Sequence, residues 1–340
     1  MALEDLINKL SPKDKINISL GVRPSGQIHL GNIVTLLTAA EVAYLLGNQR
    51  SQVMLTICDI DFPDKIDVPV KGNVVTHYKY APDPKGDCHK NFSEHNSERI
   101  YQLADDIAKE LGTKIILKNL SDIQNEPGYR EGLVKLLDHS KEIADLFPED
   151  ITSDQALIFP LCKNCHTANK KTPTYKKNGD KVTIYTSCEN PGCDIKEYEV
   201  DVLDTSYELA VHFFIDPIRD SVIEPKADLH IFGGDYADLH GKNKMTKSDK
   251  VLKIMGFTCK ETPIIFTGPV FYAQDGKKMS KSSMSGLTYE NLKEYFGNDY
   301  IKHLREFNLY VLREGYSHVD FSVVREKLLV DKCIAIQQSS

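Results

Sequence analysis

Two lysine-rich stretches have residue types and spacing suited to holding phosphate. In "KKMSKSS", Lys278 and Lys281 lie three positions apart with serines beside them, and Lys244 and Lys247 repeat the pattern in "KNKMTKSDK". Ammonium groups and hydroxyls both donate hydrogen bonds to phosphate oxygens. The later stretch follows an apolar run that ends at Tyr272 and a Gln-Asp-Gly turn. It is therefore predicted to be a mobile loop at a strand end, where a phosphate clamp belongs.

The earlier stretch has a different context, because no strand pattern comes directly before it. It runs into "VLKIMGF", whose apolar spacing and Gly256 predict a short helix with a glycine stop. Its lysines then decorate a solvated helical face. The alternative is that they contact the phosphates of an acceptor substrate.

A third phosphate candidate is the loop "PSGQIHLGN" between the first strand and the first long apolar helix. Helix N-termini present unbonded N–H groups and a partial positive charge. His29 and Asn32 share one face of the first turn, and Gly31 has no Cβ, so a flat ring such as adenine can approach its backbone. The alternative is an ordinary turn with Asn32 as a capping residue.

Four of the eight cysteines are grouped by spacing. Cys162 and Cys165 form one short knuckle, and Cys188 and Cys193 form another. Two such knuckles predict a tetrahedral, structural Zn²⁺ ribbon. His166 is an alternative fourth ligand, although adjacent residues rarely reach the same ion.

Acidic residues follow two of the predicted strands. Asp59 and Asp61 lie two positions apart at the end of a strand, where they either hold a substrate amine or cap the next loop. Asp235 follows Gly233-Gly234 and either accepts from ribose hydroxyls or an amine, or is a plain turn residue.

The elements that must position these residues alternate along the chain. Strand patterns at 15–22, 52–61 and 113–120 flank an apolar helix closed by Gly47 and an amphipathic helix over 96–112. This order predicts an α/β fold with a doubly wound parallel sheet, which binds ligands at the carboxyl ends of its strands. "PIIFTGPVFY" predicts a further pair of strands.

The composition excludes several classes of protein. The 340 residues carry a net charge of −7, with 41% hydrophobic and 27% charged residues, so a protein that mainly coats nucleic acid is disfavoured. There is no apolar run long enough for a membrane span and no secretory signal, which makes a cytoplasmic location the expectation.

The pairing of "HLGN" with "KMSKS" resembles the two signature motifs of class I aminoacyl-tRNA synthetases. The resemblance implies a Rossmann-like catalytic domain that forms aminoacyl-adenylates from ATP with Mg²⁺. It places His29 and Asn32 near the α-phosphate and Lys278 and Lys281 near the leaving pyrophosphate. The ATP-binding residues it implies are Pro24, Ser25, Gly26, His29, Gly31, Asn32, Asp235, Lys278, Met279, Ser280 and Lys281.

Further segments are similar to class I lysyl-tRNA synthetases, from about residue 15 to residue 300. They include "CDIDFPDKIDVP", "APDPKGDCHKNF", "FPLCKNCH" and "GGDY". Departures are Arg23 in place of the family's threonine, Ile33-Val34-Thr35 where an arginine and an acid are usual, and "IDPIRD" in place of a tryptophan-containing pocket segment. Arg23 implies room for a carboxylate or another polar group, or else pairs with Asp61 or Asp64 at the surface. The implied amino-acid-binding residues are Arg23, Asp59, Asp61, Arg219, Asp235 and Tyr236.

The predicted organisation is a catalytic domain over 1–155 and 201–285, an inserted zinc ribbon over 156–200 and a short helical segment over 286–340. The helical anticodon-binding region that the family carries after this point is expected to be absent, which weakens the case for tRNA as the acceptor. The expected activity is amino acid activation and transfer to tRNA, with lysine as the family default. The alternatives are a paralogue that passes its aminoacyl group to a carrier protein or a small amine, and a binding module without catalysis.

Overall fold

The computed structural model describes most of the chain. The described residues are 3–60, 65–70, 74–80, 91–126, 128–146, 157–167, 173–179, 181–188, 190, 193–211, 227–233, 250–251, 253–256, 264–274, 276–277 and 287–328.

Fourteen strands can be assigned in the described residues. They are β1 (Ile16–Val22), β2 (Ser51–Ile57), β3 (Lys65–Val70), β4 (Val74–His77), β5 (Ile115–Asn119), β6 (Ile158–Pro160), β7 (Thr174–Asn178), β8 (Lys181–Ser187), β9 (Glu197–Asp201), β10 (Leu209–Val211), β11 (Leu229–Phe232), β12 (Ile264–Thr267), β13 (Val270–Phe271) and β14 (His318–Val319).

The helices of the described residues cover the sheet and form the C-terminal part of the described chain. They are α1 (Leu3–Leu10), α2 (Leu30–Leu46), α3 (Phe92–Leu111), α4 (Leu120–Ile123), α5 (Tyr129–Asp138), α6 (Ser140–Leu146), α7 (Tyr289–Phe296), α8 (Tyr300–Glu314) and α9 (Phe321–Leu328), with short 3₁₀ turns at Tyr78–Tyr80 and Gly297–Asp299.

The central sheet has the strand order β12-β11-β1-β2-β5, and all of its neighbours are parallel. In chain order this is the doubly wound arrangement 3-2-1-4-5, whose topological switch point lies between β1 and β11. The predicted α/β fold with a doubly wound parallel sheet is confirmed. The loop that follows β1 therefore starts at the place where such sheets bind their ligands.

Helix α2 is apolar on all sides because it is buried between the sheet and the C-terminal helices. It ends at Gly47, whose φ of 100° lies in the left-handed range, as the glycine-stop prediction requires. Ile33 and Val34 are 0% and 1% exposed, so the departure from the family pattern at these positions supplies core contacts.

A buried ion pair joins α2 to α8. The Arg305 guanidinium donates to both carboxylate oxygens of Glu41, at 2.7 and 3.0 Å, and Glu41 is only 2% exposed. The hydrogen bonds of this pair raise the pKa of Arg305. The bidentate geometry fixes the C-terminal helices on the helix that begins at the switch point.

A second polar cluster joins α3 to α7 and α8. Asp106 accepts from the Tyr300 hydroxyl at 2.5 Å and from the Lys293 ammonium at 3.1 Å. Burial alone would raise the pKa of Asp106, but these two donors and the Lys293 charge bring it below its ordinary value.

A small antiparallel sheet, β7-β8-β9, carries the cysteine region, and β6 pairs with β10 beside it. A separate group of buried apolar residues, including Leu157, Val182, Ile184 and Val200, forms the core beneath this sheet. The domain boundaries set from the sequence stay a prediction.

The structure adjusts two sequence predictions in detail and confirms a third. Helix α3 begins at Phe92 instead of residue 96, because Asn91 and Glu94 form a capping box there. The two strands of "PIIFTGPVFY" lie in different sheets, since β13 pairs with β14 while β12 joins the central sheet. Residues 250–251 and 253–254 are helical and Gly256 has a φ of 87°, which confirms the helix and its stop.

Within the part of the chain that the structure describes, no helix combines the length and the apolar character that a membrane crossing demands.

Candidate functional site

The loop after β1 is held in place by α3. The Asn96 side chain, which is 3% exposed, donates to the Pro24 carbonyl at 3.3 Å. Arg23, Ser25 and Gly26 are partly exposed around this buried proline. The predicted ATP loop is therefore anchored at its base and open to solvent at its tip.

His29 is the N-cap residue of α2. Its Nδ1 accepts a hydrogen bond from the Gly31 N–H at 3.1 Å, and the Asn32 side-chain oxygen accepts from the His29 N–H at 3.4 Å. Because Nδ1 acts as an acceptor, the neutral imidazole carries its proton on Nε2. The geometry makes Nε2–H the hydrogen-bond donor of the ring.

Gly31 makes room for this ring. A Cβ at position 31 would lie 3.0 Å from His29 Cε1 and 3.1 Å from Nδ1, which is closer than side chains normally pack. The group lying directly over the Gly31 backbone is therefore the imidazole of His29. The predicted stacking of adenine on this glycine stays a prediction.

The loop also pairs with the chain that follows the second lysine stretch. The Leu30 N–H donates to Leu287 O and the Tyr289 N–H donates to Ile28 O, both at 2.9 Å, and His29 forms a bridge with Thr288. Residues 287–289 thus lie against the N-terminus of α2.

The other flank of the same stretch is a tight turn. The Ala273 N–H donates to Lys277 O at 2.7 Å, and the Gly276 N–H donates back to Ala273 O at 2.9 Å. Gly276 has a φ of 74°, so a residue with a Cβ would be strained there. The residues on both sides of 278–286 are therefore fixed by backbone hydrogen bonds.

Asp59 is buried just beyond the end of β2, with 6% exposure. Its carboxylate accepts from the Ser121 N–H at 3.0 Å and from the Ser121 hydroxyl at 2.5 Å, and the Lys79 ammonium lies 3.3 Å away. The carboxylate thus caps the start of α4, whereas the alternative from the sequence was a cap on the loop that follows β2. A role in holding the substrate amine stays a prediction.

Several residues of the predicted site lie outside the described residues. They are Asp61, Arg219, Asp235, Tyr236, Lys278, Met279, Ser280 and Lys281. The earlier lysine stretch, including Lys244 and Lys247, also lies outside them, as do Asp61 and Asp64, the alternative partners of Arg23.

The four cysteines of the two knuckles come together at the end of the β8-β9 hairpin. Their sulfurs all lie within 4.8 Å of one another, with 3.8 Å between Cys162 and Cys193 and 3.3 Å between Cys165 and Cys188. A zinc ion with Zn–S bonds of about 2.3 Å requires sulfurs about 3.8 Å apart. The cluster therefore fits a tetrahedral Zn²⁺ held by these four residues, with only small adjustments.

The electrostatics of the cluster favour a cation. Burial raises the pKa of Cys162, and burial together with hydrogen bonding to Cys165 and Cys193 raises that of Cys188. Burial also acts on Cys193, but hydrogen bonds from Asn164 and from neighbouring thiols lower its pKa to about 7. Four crowded sulfurs cannot all ionise together unless a positive charge compensates them, which a metal ion does.

His166 is not part of the sulfur cluster. Its ring stacks on the ring of Tyr80 with centroids 3.7 Å apart and an angle of 13°. The Tyr80 hydroxyl donates to Glu208, whose other oxygen accepts from the Lys79 ammonium at 2.5 Å. No motif marks Lys79, Tyr80 or Glu208 in the sequence, so these contacts were missed.

This sheet order, with a capped helix N-terminus at its switch point, defines a doubly wound α/β protein. The chain matches the family "tRNA synthetases class I (K)" over residues 2–323. It belongs to that family, which confirms the resemblance to class I synthetases of the lysyl type.

Two relatives show how this similarity is distributed. The chain is 25% identical to the Lysine--tRNA ligase of Archaeoglobus fulgidus over 178 residues, which are 51% of this chain and 35% of that protein. It is 22% identical to the Lysine--tRNA ligase of Thermococcus kodakarensis over 305 residues, which are 83% of this chain and 52% of that protein. The chain thus spans between about a third and a half of the length of these curated relatives.

Among solved structures, the tyrosyl-tRNA synthetase from Archaeoglobus fulgidus complexed with L-tyrosine aligns with a TM-score of 0.44 and 14% identity. The alignment covers 98% of this chain and 86% of that structure.

Proposed function

We propose that this chain activates an amino acid with ATP and transfers the aminoacyl group to tRNA, with lysine as the default amino acid. The observation that carries the proposal is the His29–Asn32 capping box at the switch point of a sheet in a class I synthetase chain. The cytoplasm is the location that goes with this activity. Relatives named Lysine--tRNA ligase support lysine as the first substrate to test.

Activation is a displacement at phosphorus. A carboxylate oxygen of the amino acid bonds to the α-phosphorus of ATP, and the bond to the oxygen that bridges to the β-phosphorus breaks, so pyrophosphate leaves. A hydroxyl of the tRNA then bonds to the carbonyl carbon, and AMP leaves. The nucleophile of the first step is already an anion, so positioning and charge stabilisation supply the catalysis.

The N-terminus of α2 is suited to stabilise the charge that grows on the α-phosphate. Its macrodipole and N–H groups favour an anion, and the His29 Nε2–H adds a directional donor. No described residue accepts from the Asn32 amide nitrogen, so this group supplies a further donor on the same face. Mg²⁺, when bound to the phosphates, neutralises part of the charge that passes to pyrophosphate.

The lysine stretch at 278–281 is assigned to the leaving pyrophosphate. Its described flanks support this assignment, since residues 287–289 pair with the segment that contains His29 and Lys277 closes a turn after β13. Gly31, Pro24, Ser25 and Gly26 are assigned to the ATP site, because they surround the same helix start.

The amino acid is assigned to the carboxyl ends of β1 and β2. Arg23 and Asp59 stand there, with Asp61, Arg219, Asp235 and Tyr236 as further candidates. Zn²⁺ bound by the four cysteines has a structural role, since a site with four protein ligands leaves no position for a substrate.

Amino-acid-dependent ATP–pyrophosphate exchange tests the proposal directly. A panel of the twenty amino acids is assayed, and the active amino acid is then tested for stable attachment to tRNA. Exchange with lysine and charging of tRNA is the expected result. Absence of exchange with every amino acid would refute the enzymatic function, and exchange without tRNA charging would favour the carrier-protein or small-amine acceptor, which the family membership does not support.

The two lysine stretches provide a matched comparison within the same assay. Replacing Lys281 by alanine is expected to slow pyrophosphate exchange. The expected rise in activation free energy is about 3 kcal/mol, the scale of one lost oxyanion donor. Lys247→Ala removes the same charge from the look-alike stretch and is expected to have little effect. Equal losses in both variants would contradict the assignment of residues 278–281.

A further inference from the structure

Lys79 joins two carboxylates that belong to different parts of the fold. Its ammonium lies 2.5 Å from Glu208, which precedes β10, and 3.3 Å from Asp59 at the end of β2. The three side chains are 19%, 27% and 8% exposed, so solvent screens their charges less than it screens a surface pair. The ammonium is thus a bridge between the central sheet and the strand that follows the ribbon.

Tyr80 continues this bridge towards the cysteines. Its hydroxyl donates to the same Glu208 carboxylate, and its ring lies flat against the imidazole of His166. Lys79 and Tyr80 both belong to a single 3₁₀ turn, so the two contacts are mechanically linked. The stacking distance of 3.7 Å leaves no space for solvent between the rings.

His166 is fixed by the cysteine knuckle itself. It follows Cys165, its N–H donates to Cys162 O at 2.8 Å, and its φ of 54° is unusual for a residue with a side chain. This hydrogen bond closes the turn that contains Cys162 and Cys165, and the left-handed backbone of His166 directs the chain out of the turn directly after the second cysteine. The direction of the His166 ring therefore depends on the geometry of the four-cysteine cluster.

At the opposite end, Asp59 holds the start of α4. The N–H and the hydroxyl of Ser121 both donate to its carboxylate. The Lys79 ammonium is the nearest cation to the Asp59 carboxylate in the described part of the chain. A shift of Lys79 would therefore move this carboxylate or leave its charge uncompensated. The contacts run without interruption from the cysteine cluster to the carboxyl edge of the sheet.

We propose that Lys79 and Tyr80 are positioning residues that link the four-cysteine zinc site to Asp59 and the start of α4. Through this link the metal site sets the affinity of the amino acid site without contacting the substrate. The part that concerns amino acid affinity rests on the proposed function, whereas the link itself does not.

The link is tested by hydrogen exchange of the Ser121 amide, a readout that needs no activity. His166→Asn removes the ring and keeps a residue type that tolerates a positive φ, and Lys79→Met removes the charge at similar length. Each single variant is expected to speed hydrogen exchange of the Ser121 amide about tenfold. The double variant is expected to exchange no more than about twofold faster than either single variant, because both substitutions interrupt the same chain of contacts. The Val53 amide, held within the central sheet, is expected to stay unchanged.

Kinetics with L-lysine as the probe add the functional readout. Each variant is expected to raise the KM for lysine about tenfold, while kcat and the KM for ATP stay within about twofold. Lys79→Arg, which can bridge both carboxylates, is expected to restore the wild-type KM. Stripping zinc from the wild-type protein is expected to speed Ser121 exchange as His166→Asn does, with little further effect in Lys79→Met.

Lys163→Met is the matched control. Lys163 also lies in the cysteine knuckle, with its ammonium 3.8 Å from the Tyr207 ring and 2.9 Å from Ser206, but it has no contact with Asp59. It is expected to leave Ser121 exchange and the KM for lysine unchanged.

An unchanged rate of hydrogen exchange at the Ser121 amide in a zinc-loaded His166→Asn protein would overturn the proposed link. A double variant whose rate increase equals the product of the two single increases would also overturn it. Faster Ser121 exchange with an unaltered KM would overturn the effect on the amino acid site. If no amino acid supports exchange in the wild-type protein, the proposed function fails, and the Ser121 measurements still decide on the link.

Discussion

His29 has a capping role that the structure shows and a catalytic role that we propose, and substitution can separate the two. As N-cap of α2 it accepts one hydrogen bond from the Gly31 N–H at 3.1 Å, and the return bond from Asn32 is long at 3.4 Å. Loss of a side-chain cap costs about 1 kcal/mol, and asparagine is among the best replacements. We therefore expect His29→Ala to lower the free energy of unfolding by about 1 kcal/mol and His29→Asn to leave it nearly unchanged.

The catalytic role predicts a different ranking. Both variants lose the Nε2–H donor, and removal of one donor to a developing oxyanion lowers the rate by about 10²- to 10³-fold. Urea unfolding gives the stability and ATP–pyrophosphate exchange gives the rate for the same protein samples. A stable His29→Asn variant with exchange close to that of the wild type would refute the donor role and leave His29 as a cap only.

Three further predictions address the surroundings of the site. Gly31→Ala is expected to push the capping imidazole aside by a few tenths of an ångström and to slow pyrophosphate exchange about tenfold. In the control variant Gly268→Ala the added Cβ meets only ordinary contacts at 3.7 and 3.8 Å, so the exchange rate is expected to stay unchanged. Similar exchange rates in both variants would contradict this prediction. Arg305→Met leaves the buried Glu41 carboxylate unpaired and is expected to lower the free energy of unfolding in urea by about 3 kcal/mol, with a smaller loss for Arg305→Lys. A loss below about 1 kcal/mol in Arg305→Met would show that the ion pair adds little stability. The pKa of Asp106 is lowered on folding, so the stabilisation from its carboxylate is present above its ordinary pKa and is lost as the pH falls through the folded value. Asp106→Asn should therefore lower the free energy of unfolding by about 1 kcal/mol at pH 7, and by less with each step below about pH 4. A difference in unfolding free energy that stays constant across this range would refute the assignment.

The features that the sequence predicts well are set by neighbours along the chain. Short-range chemistry determines the apolar alternation of β1, the glycine stop at Gly47 and the two cysteine knuckles. The doubly wound parallel sheet follows from the alternation of strands and helices, because crossover connections leave few arrangements for a parallel sheet.

The features that were missed depend on contacts between distant positions. Asp59 ends a strand in the expected place, yet its partner Lys79 and the partner's second carboxylate, Glu208, come from segments with no recognisable pattern. The Tyr80–His166 stack is of the same kind, since single aromatic residues carry no periodic signal. Short-range sequence patterns therefore indicate Asp59 at the edge of the sheet but carry no sign of the Lys79 ammonium that contacts it.

The pairing of Ile28–Leu30 with Leu287–Tyr289 bears on how the two signature motifs work together. Two backbone hydrogen bonds tie the residues after 278–286 to the cap of α2, so a displacement at residue 287 acts directly on the segment that contains His29. On the other side, the turn from Ala273 to Lys277 fixes the entry to the same stretch. If the lysines of that stretch bind pyrophosphate, their position is set relative to the helix start that we assign to the α-phosphate. Weakening the β-bridge is accordingly predicted to impair adenylate formation, because in the proposed binding mode the bridge sets the two ends of the triphosphate relative to one another.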